Sequence, residues 1–180
     1  MYKQISIEKY FNNRGFTTED TLMMGSLSIS GASFPLEELN SKDLVVDNVP
    51  FHLCISNIKY DNIEINNQTI AIEYSIQAKE ISVFGVSIYG DYYSDILFLK
   101  DGKVVYKDKL KLSNLTSSQC NFNNQRAVSF SYLNHSEKNK IFTKSNIWVN
   151  KICFNVPIIF DSIKFSDTPF MHVFSITVSY

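Results

Sequence analysis

The sequence predicts an all-β protein, a two-sheet antiparallel sandwich with at most two short helices. Three observations lead there. Apolar and polar residues alternate with a period of two in most segments, as in His172-Val173-Phe174-Ser175-Ile176-Thr177-Val178, which is the pattern of a strand with one buried face. Turn-forming Asn, Asp and Gly separate these runs at roughly 8–12-residue spacing, the rhythm of sandwiches and barrels. The chain also carries 14 Phe and 10 Tyr in 180 residues, and aromatic side chains favour strands.

The elements follow in order. Ile7–Phe11 reads as a short helix, and Ser26-Leu27-Ser28-Ile29-Ser30 as a half-buried strand. Pro35–Leu39 reads as a second short helix, with Pro35 in the first turn and Glu37 and Glu38 near its positive end. Leu44–Val46 runs into a turn at Asp47-Asn48, and Val49–Leu53 follows. Asn62–Ile65 and Thr69–Tyr74 flank Asn66-Asn67, which predicts a hairpin or tight reversal. Ile81–Tyr89 is almost continuously apolar and belongs in the centre of a sheet. Ile96–Leu99 leads to Asp101-Gly102, the strongest hairpin signal in the chain, and Val104–Tyr106 returns from it. Ser113–Arg126, rich in Ser, Asn and Gln, reads as a long loop. Ala127–Leu133, Asn146–Phe154, Ser162–Phe165 and Met171–Ser179 complete the strand set. No repeat or linker divides residues 1–180, so one domain is expected.

Charge and composition remove several classes. Lys plus Arg number 17 against 18 acidic residues, a balance unsuited to nucleic acid, whose phosphates are bound by clustered cations. The basic stretch Lys100–Lys111 holds Asp101 and Asp108 and reads as a solvated hairpin. No run of 18 apolar residues predicts a membrane span, and the first residues lack a signal-peptide core. The chain is therefore expected to be cytoplasmic, with no membrane partner. Cys54, Cys120 and Cys153 have neither CxxC spacing nor an even count, which argues against a disulfide framework or zinc ribbon. Cys54 and Cys153 are expected to be small buried hydrophobes. No nucleophile elbow, P-loop or dinucleotide fingerprint occurs, so no catalytic residue is assigned.

Two polar segments have the chemistry of a binding site. Asn12-Asn13-Arg14, before Gly15, offers amides and a guanidinium to sugar hydroxyls or a carboxylate; the same residues also suit a turn. Tyr89-Gly90-Asp91-Tyr92-Tyr93-Ser94-Asp95 offers aromatic faces for sugar stacking beside carboxylates in a loop. Its plainer reading is a tyrosine-rich edge packed over the sheet. The ligand-binding candidates are thus Tyr89, Asp91, Tyr92, Tyr93, Asn12, Asn13 and Arg14. His52, His135 and His172 lack metal-ligand spacing, so metal ligands stay unassigned. No cofactor is expected, and calcium is the cation that Asp43, Asp47 or Asp91 would suit. Glu37 and Glu38 are adjacent and cannot face each other on a helix, which leaves them as helix-start charge.

The segments Tyr10-Phe11-Asn12-Asn13-Arg14-Gly15-Phe16-Thr17, Gly31-Ala32-Ser33-Phe34-Pro35-Leu36-Glu37-Glu38-Leu39 and Val49-Pro50-Phe51 resemble the opening of a bacterial domain family. Asp61–Ile72, Ile81-Ser82-Val83-Phe84-Gly85 and Leu97-Phe98-Leu99-Lys100-Asp101-Gly102 are similar to its middle, and Met171–Val178 to its last strand. The family is that of galactose-binding-like β-sandwich domains that accompany glycoside hydrolases. Asn48 stands where that pattern has Gly. The resemblance implies a jelly-roll sandwich and a non-catalytic module for carbohydrate or a related small ligand. Two other readings stand beside it: a structural sandwich that works through a protein partner or as a homo-oligomer, and a small enzyme with its site at one end of the sandwich. A start at Met1 and an end on the last strand lead to the expectation of a free-standing protein.

Overall fold

The computed structural model describes residues 1–56, 59–137 and 139–180. Its strands are β1 (Tyr2–Ile5), β2 (Phe16–Thr17), β3 (Ala32–Pro35), β4 (Asp43–Val46), β5 (Val49–His52), β6 (Ile63–Glu64) and β7 (Thr69–Ser87). They continue as β8 (Tyr92–Lys100), β9 (Lys103–Leu112), β10 (Gln125–Phe130), β11 (Leu133–His135), β12 (Asn139–Ile141), β13 (Ser145–Phe165) and β14 (Met171–Ser179). The main sheet has the order β1-β14-β7-β13-β8-β9, with β10 on β13 and β6 on β14. A smaller sheet runs β12-β11-β3-β2, and β4 pairs with β5. All pairings between these strands are antiparallel except β2 with β3.

The long strands β7 and β13 organise the core. On β7, even-numbered Ile70, Ile76 and Ala78 share a cluster with odd-numbered Ile81 and Val83. The buried parity changes between Ala78 and Ile81, where the partner strand jumps from Ile158 to Cys153 in register. Four residues of β13 stand opposite one of β7 at this bulge, and bulges bend strands and strengthen their twist. Pro157 occupies the bulge, where no ladder donor is required. Both halves of β7 and β13 meet in this one cluster, so the main sheet turns back over itself and the two layers of the sandwich share these strands.

A second core lies on the other face of the inner layer. Phe84, Val86 and Phe174 point away from Val83 and Val173 and join Phe16, Phe34, Phe51 and Phe130. Phe34 stacks on Phe130 at 4.8 Å, and Phe16 meets the Phe174 edge at 5.4 Å. Residues 171–178 of β14 are consequently buried on both faces. That double burial is why Ile81–Tyr89 has almost no polar alternation and sits between β13 and β14.

The tight turns follow their backbone chemistry. Asp101 and Gly102 take φ of 50° and 75°, and Asp47 and Asn48 take 48° and 63°, the left-handed pair of a two-residue hairpin. Asn48 can replace the glycine of the resembled pattern because Asn tolerates that region better than most residues. The expected helices are single 3-10 turns at Glu8–Tyr10 and Leu36–Glu38, and a third segment of this kind, Glu19–Met24, joins them.

Several sequence expectations need correction. Ser26–Ser30 is no strand: the Gly31 amide bonds Ser28 O and the Leu27 amide bonds Ala32 O, closing a turn with Leu27 inside and Ile29 94% exposed. β6 and β7 flank a reversal but do not pair, since β6 lies on β14. The segments Thr69–Tyr74 and Ile81–Tyr89 fall on one strand, which ends at Ser87 before Ile88 and Tyr89, and Asn146–Phe154 and Ser162–Phe165 are likewise one strand.

Candidate functional site

Asn12–Phe16 runs extended along Asn62 and is no turn; Asn13 bridges Asn62 antiparallel. Asn12 spends its amide on the backbone of Glu64, donating from Nδ2 to the carbonyl (3.0 Å) and accepting the Glu64 amide on Oδ1 (2.7 Å). Asn13 is buried and donates to Ser26 O at 2.7 Å and Glu64 Oε2 at 3.1 Å. Gly15 is required by contact: a Cβ there would stand 2.5 Å from the Phe174 ring and 2.9 Å from Asn62 Nδ2.

Beneath this segment lies a buried polar chain that the sequence reading missed. Asp61 accepts the Gly15 amide (2.7 Å), the Phe16 amide (3.0 Å) and Asn62 Nδ2 (2.9 Å). Asn62 Oδ1 meets His172 Nδ1 at 3.0 Å. Burial pushes the Asp61 carboxyl up to about 6, against its hydrogen bonds and the nearby Arg14 charge. Burial pushes His172 down to about 4, with the Leu27 backbone pulling weakly the other way, so the ring is neutral at pH 7. Perturbed groups of this kind can mark catalysis. Here both are about 1% exposed and line neither of the two cavities beside the Asn12–Phe16 segment, so their work is to fasten that segment to β14. The available signal was the polar pair Asp61-Asn62 directly before an alternating run.

A groove of about 620 Å³ opens above that chain. Asn12, Asn13 and Glu64 form its polar floor; Tyr60, Tyr89 and Phe170 stand along it. Glu64 Oε1 has no hydrogen bond among the described residues, since Asn13 binds Oε2. Tyr60 and Tyr89 are 58% and 57% exposed. Tyr89 and Gly90 take φ of 63° and 152°, and Ser87 Oγ fixes the reversal, its one hydroxyl hydrogen shared between Gly90 O and Leu112 O. A bulky residue in the left-handed region is a local cost that surrounding structure must hold in place. The Tyr89 hydroxyl accepts the Ile29 amide at 3.2 Å, which ties the groove's two walls together.

The remaining candidates are distributed differently. Tyr92 and Tyr93 belong to β8, not to a loop, and point to opposite faces. Tyr92 backs Phe170 at 5.3 Å and so supports the groove wall from behind. Tyr93 lies under the Lys109 ammonium at 5.0 Å, away from the groove. Asp91 braces the 113–124 loop, accepting the Asn114 amide at 2.6 Å and the Asn121 side chain. Arg14 lines a second, larger cavity that shares Tyr60 with the groove. The structure thus brings Asn12, Asn13 and Tyr89 together and leaves Asp91, Tyr92, Tyr93 and Arg14 outside.

The other titratable groups have local partners. His52 bonds Asp43 at 2.6 Å, and Asp47 accepts from Lys151 at 2.6 Å. Together with Asp91 they stay separate, and among the described residues no three His, Cys, Asp or Glu gather as a metal-binding group. Glu37 and Glu38 bind Tyr132 and Ser131, pinning a 3-10 turn to the β10–β11 connection. Cys54 is half-buried and Cys153 exposed, not buried hydrophobes; each thiol donates to a glutamate, Glu8 and Glu80. Burial and Glu8 push the Cys54 thiol up to about 12, so it stays protonated and is no nucleophile. Among the described residues no helix is long and apolar enough to cross a membrane.

By class, this is a β-sandwich domain with an open groove at one end of its inner layer. The chain belongs to the family of AziU2-like beta-sandwich domains, whose family model matches residues 2–180. That description names the sandwich and is silent on galactose-binding-like modules and glycoside hydrolases. The comparison with curated proteins gives no match.

Proposed function

We propose that the protein is a non-catalytic ligand-binding sandwich whose ligand, a carbohydrate or related polyhydroxyl molecule, occupies the Asn12–Glu64–Tyr89 groove. The observation that carries this reading is convergence. Two segments 76 residues apart by number, Asn12-Asn13 and Tyr89, line one groove of about 620 Å³, within the range of small-molecule sites. Exposed Tyr60 and Tyr89 rings offer flat apolar faces, and Glu64 Oε1 offers a hydrogen-bond acceptor in the same groove. Sugars present this pairing of an apolar ring face and a rim of hydroxyls.

The test is calorimetric titration of the full chain against mono- and oligosaccharides, with calcium and EDTA arms. A sugar that binds the native protein should bind Tyr89→Ala and Tyr60→Ala at least tenfold more weakly, about 1.4 kcal/mol, while thermal midpoints change little at these exposed positions. Equal affinity for both variants would move the site elsewhere. Failure of every sugar to bind would end the carbohydrate reading.

A further inference from the structure

The larger cavity, about 810 Å³, holds an arginine with too few acceptors. Arg14 is 2% exposed, and a guanidinium has five N–H donors. Its Nη1 donates to the Met24 thioether at 2.7 Å and its Nη2 to the Ser56 carbonyl at 3.1 Å. Nε has no partner among the described residues. Thioether sulfur is a weak acceptor, so one carbonyl is the only strong one. No ion pair of the described residues includes Arg14. Asp61, the acid that feels its charge, is already filled by the Gly15 and Phe16 amides and Asn62. Asp61 answers part of the charge through space, but the guanidinium N–H groups stay short of acceptors, and buried donors left unmet are costly.

The cavity's other walls say what would meet those donors. Phe11, Met24 and Tyr60 make it largely apolar, and exposed Lys9 and Lys59 stand at its rim. Glu8 also lines it, but its carboxylate is engaged by Ser6 Oγ at 2.5 Å and Cys54 Sγ at 2.9 Å. We infer that this cavity is a second binding site, for an oxyanion (carboxylate or phosphate) carried on an apolar body. Arg14 lines the cavity and its Nε is sealed from solvent; the assignment therefore places the anion against the Nη atoms, each of which carries a second N–H beyond the bond it makes. A planar fork of this kind matches carboxylate and phosphate oxygens. The lysines raise the local concentration of anions, and the apolar wall holds the ligand's body.

This site adjoins the groove and shares Tyr60 with it, and the experiment keeps the two apart through Tyr89, which lines the groove alone. The full chain is titrated with 4-phenylbutyrate, phenyl phosphate, inorganic phosphate and the neutral 4-phenylbutanol, at low and high salt. At least one of the two aromatic anions should bind tenfold more tightly than both the alcohol and inorganic phosphate, and high salt should weaken it. The exposed double variant Lys9→Glu/Lys59→Glu should lose tenfold or more, Arg14→Lys should lose at least as much, and Tyr89→Ala should bind like the native chain. If Arg14→Lys does not fold, the double lysine variant decides. An alcohol or inorganic phosphate that binds as well as the tighter of the two aromatic anions, absence of anion binding, or an unchanged double variant overturns the assignment.

Discussion

Asp61 and His172 stand at the two ends of one buried chain through Asn62, and burial drives their titration in opposite senses. The Asp61 carboxyl is raised from 3.8 to about 6. Its contribution is therefore full below about pH 4 and is lost as pH rises through 6. The His172 ring is lowered from 6.5 to about 4, so its contribution is full above 6.5 and is lost as pH falls through 4. Each is on the order of 3 kcal/mol, and across pH 4–6.5 the two slopes oppose. The native protein should accordingly show a shallow profile there, while Asp61→Asn should lose stability toward pH 4 and His172→Gln should gain it. Urea midpoints at half-unit steps check this; parallel profiles for all three proteins would show that neither group titrates with folding. Residue order shows the polar pair Asp61-Asn62 but not what it meets. Asn13, Asp61 and His172 come from three distant segments, and a buried polar network is defined by which segments meet. The sequence did show Asn12, Asn13, Arg14, Tyr89 and Asp91 as polar and aromatic binding chemistry, but their separation into groove, brace and second cavity depends on side-chain direction.

The elements were legible where local chemistry decides. Asp101-Gly102 and Asp47-Asn48 need left-handed backbone, which few residue types accept, so both hairpins could be placed from their residues. Met171–Ser179 could be placed because Phe174–Ser179 alternates; Val173-Phe174 breaks the pattern where the register with β7 shifts. The long strands were not, because Gln77-Ala78-Lys79-Glu80 and Asn155-Val156-Pro157 look like breaks in an apolar pattern. They are the bend that carries β7 and β13 from the outer layer to the inner one, and a bend inverts the face on which apolar residues must fall. Ser26–Ser30 failed for the reverse reason: five alternating residues suit a loop that buries one side chain as well as they suit a strand. The bulge gives a sharp test. Deleting Val156 shifts the rest of β13 by one residue and sends Phe160 and Ile163 to the wrong face. That variant should lose its cooperative thermal transition. Val156→Ser, at a position 68% exposed, should change stability by no more than about 0.5 kcal/mol. A cooperative deletion variant would mean that the bulge absorbs the slip and does not set the register.

At the scale of the whole molecule, the inner layer of β14 and the facing halves of β7 and β13 is wall to two cores at once. Val83 and Val173 pack toward the first, with Phe98, Phe154 and Phe160; Phe84 and Phe174 pack toward the second, with Phe16, Phe34 and Phe130. Neither core keeps its shape if the other's wall is lost, because adjacent residues of the same strands point into each. The Asn12–Glu64–Tyr89 groove and the arginine cavity both rest on the Asn12–Phe16 segment, which is fastened to this layer through Asn62 and His172. The chain should therefore melt as one unit and carry both sites with it. Phe160→Ala empties the first core and Phe34→Ala the second, each at a cost of about 3–5 kcal/mol. Scanning calorimetry should show a single transition in the native chain that moves down intact in both variants, with equal calorimetric and van't Hoff enthalpies. If Phe34→Ala instead split the transition, the small β12-β11-β3-β2 sheet would be melting separately from the sandwich. The groove, whose Gly25–Gly31 wall leads into β3, would then open before the main sheet does.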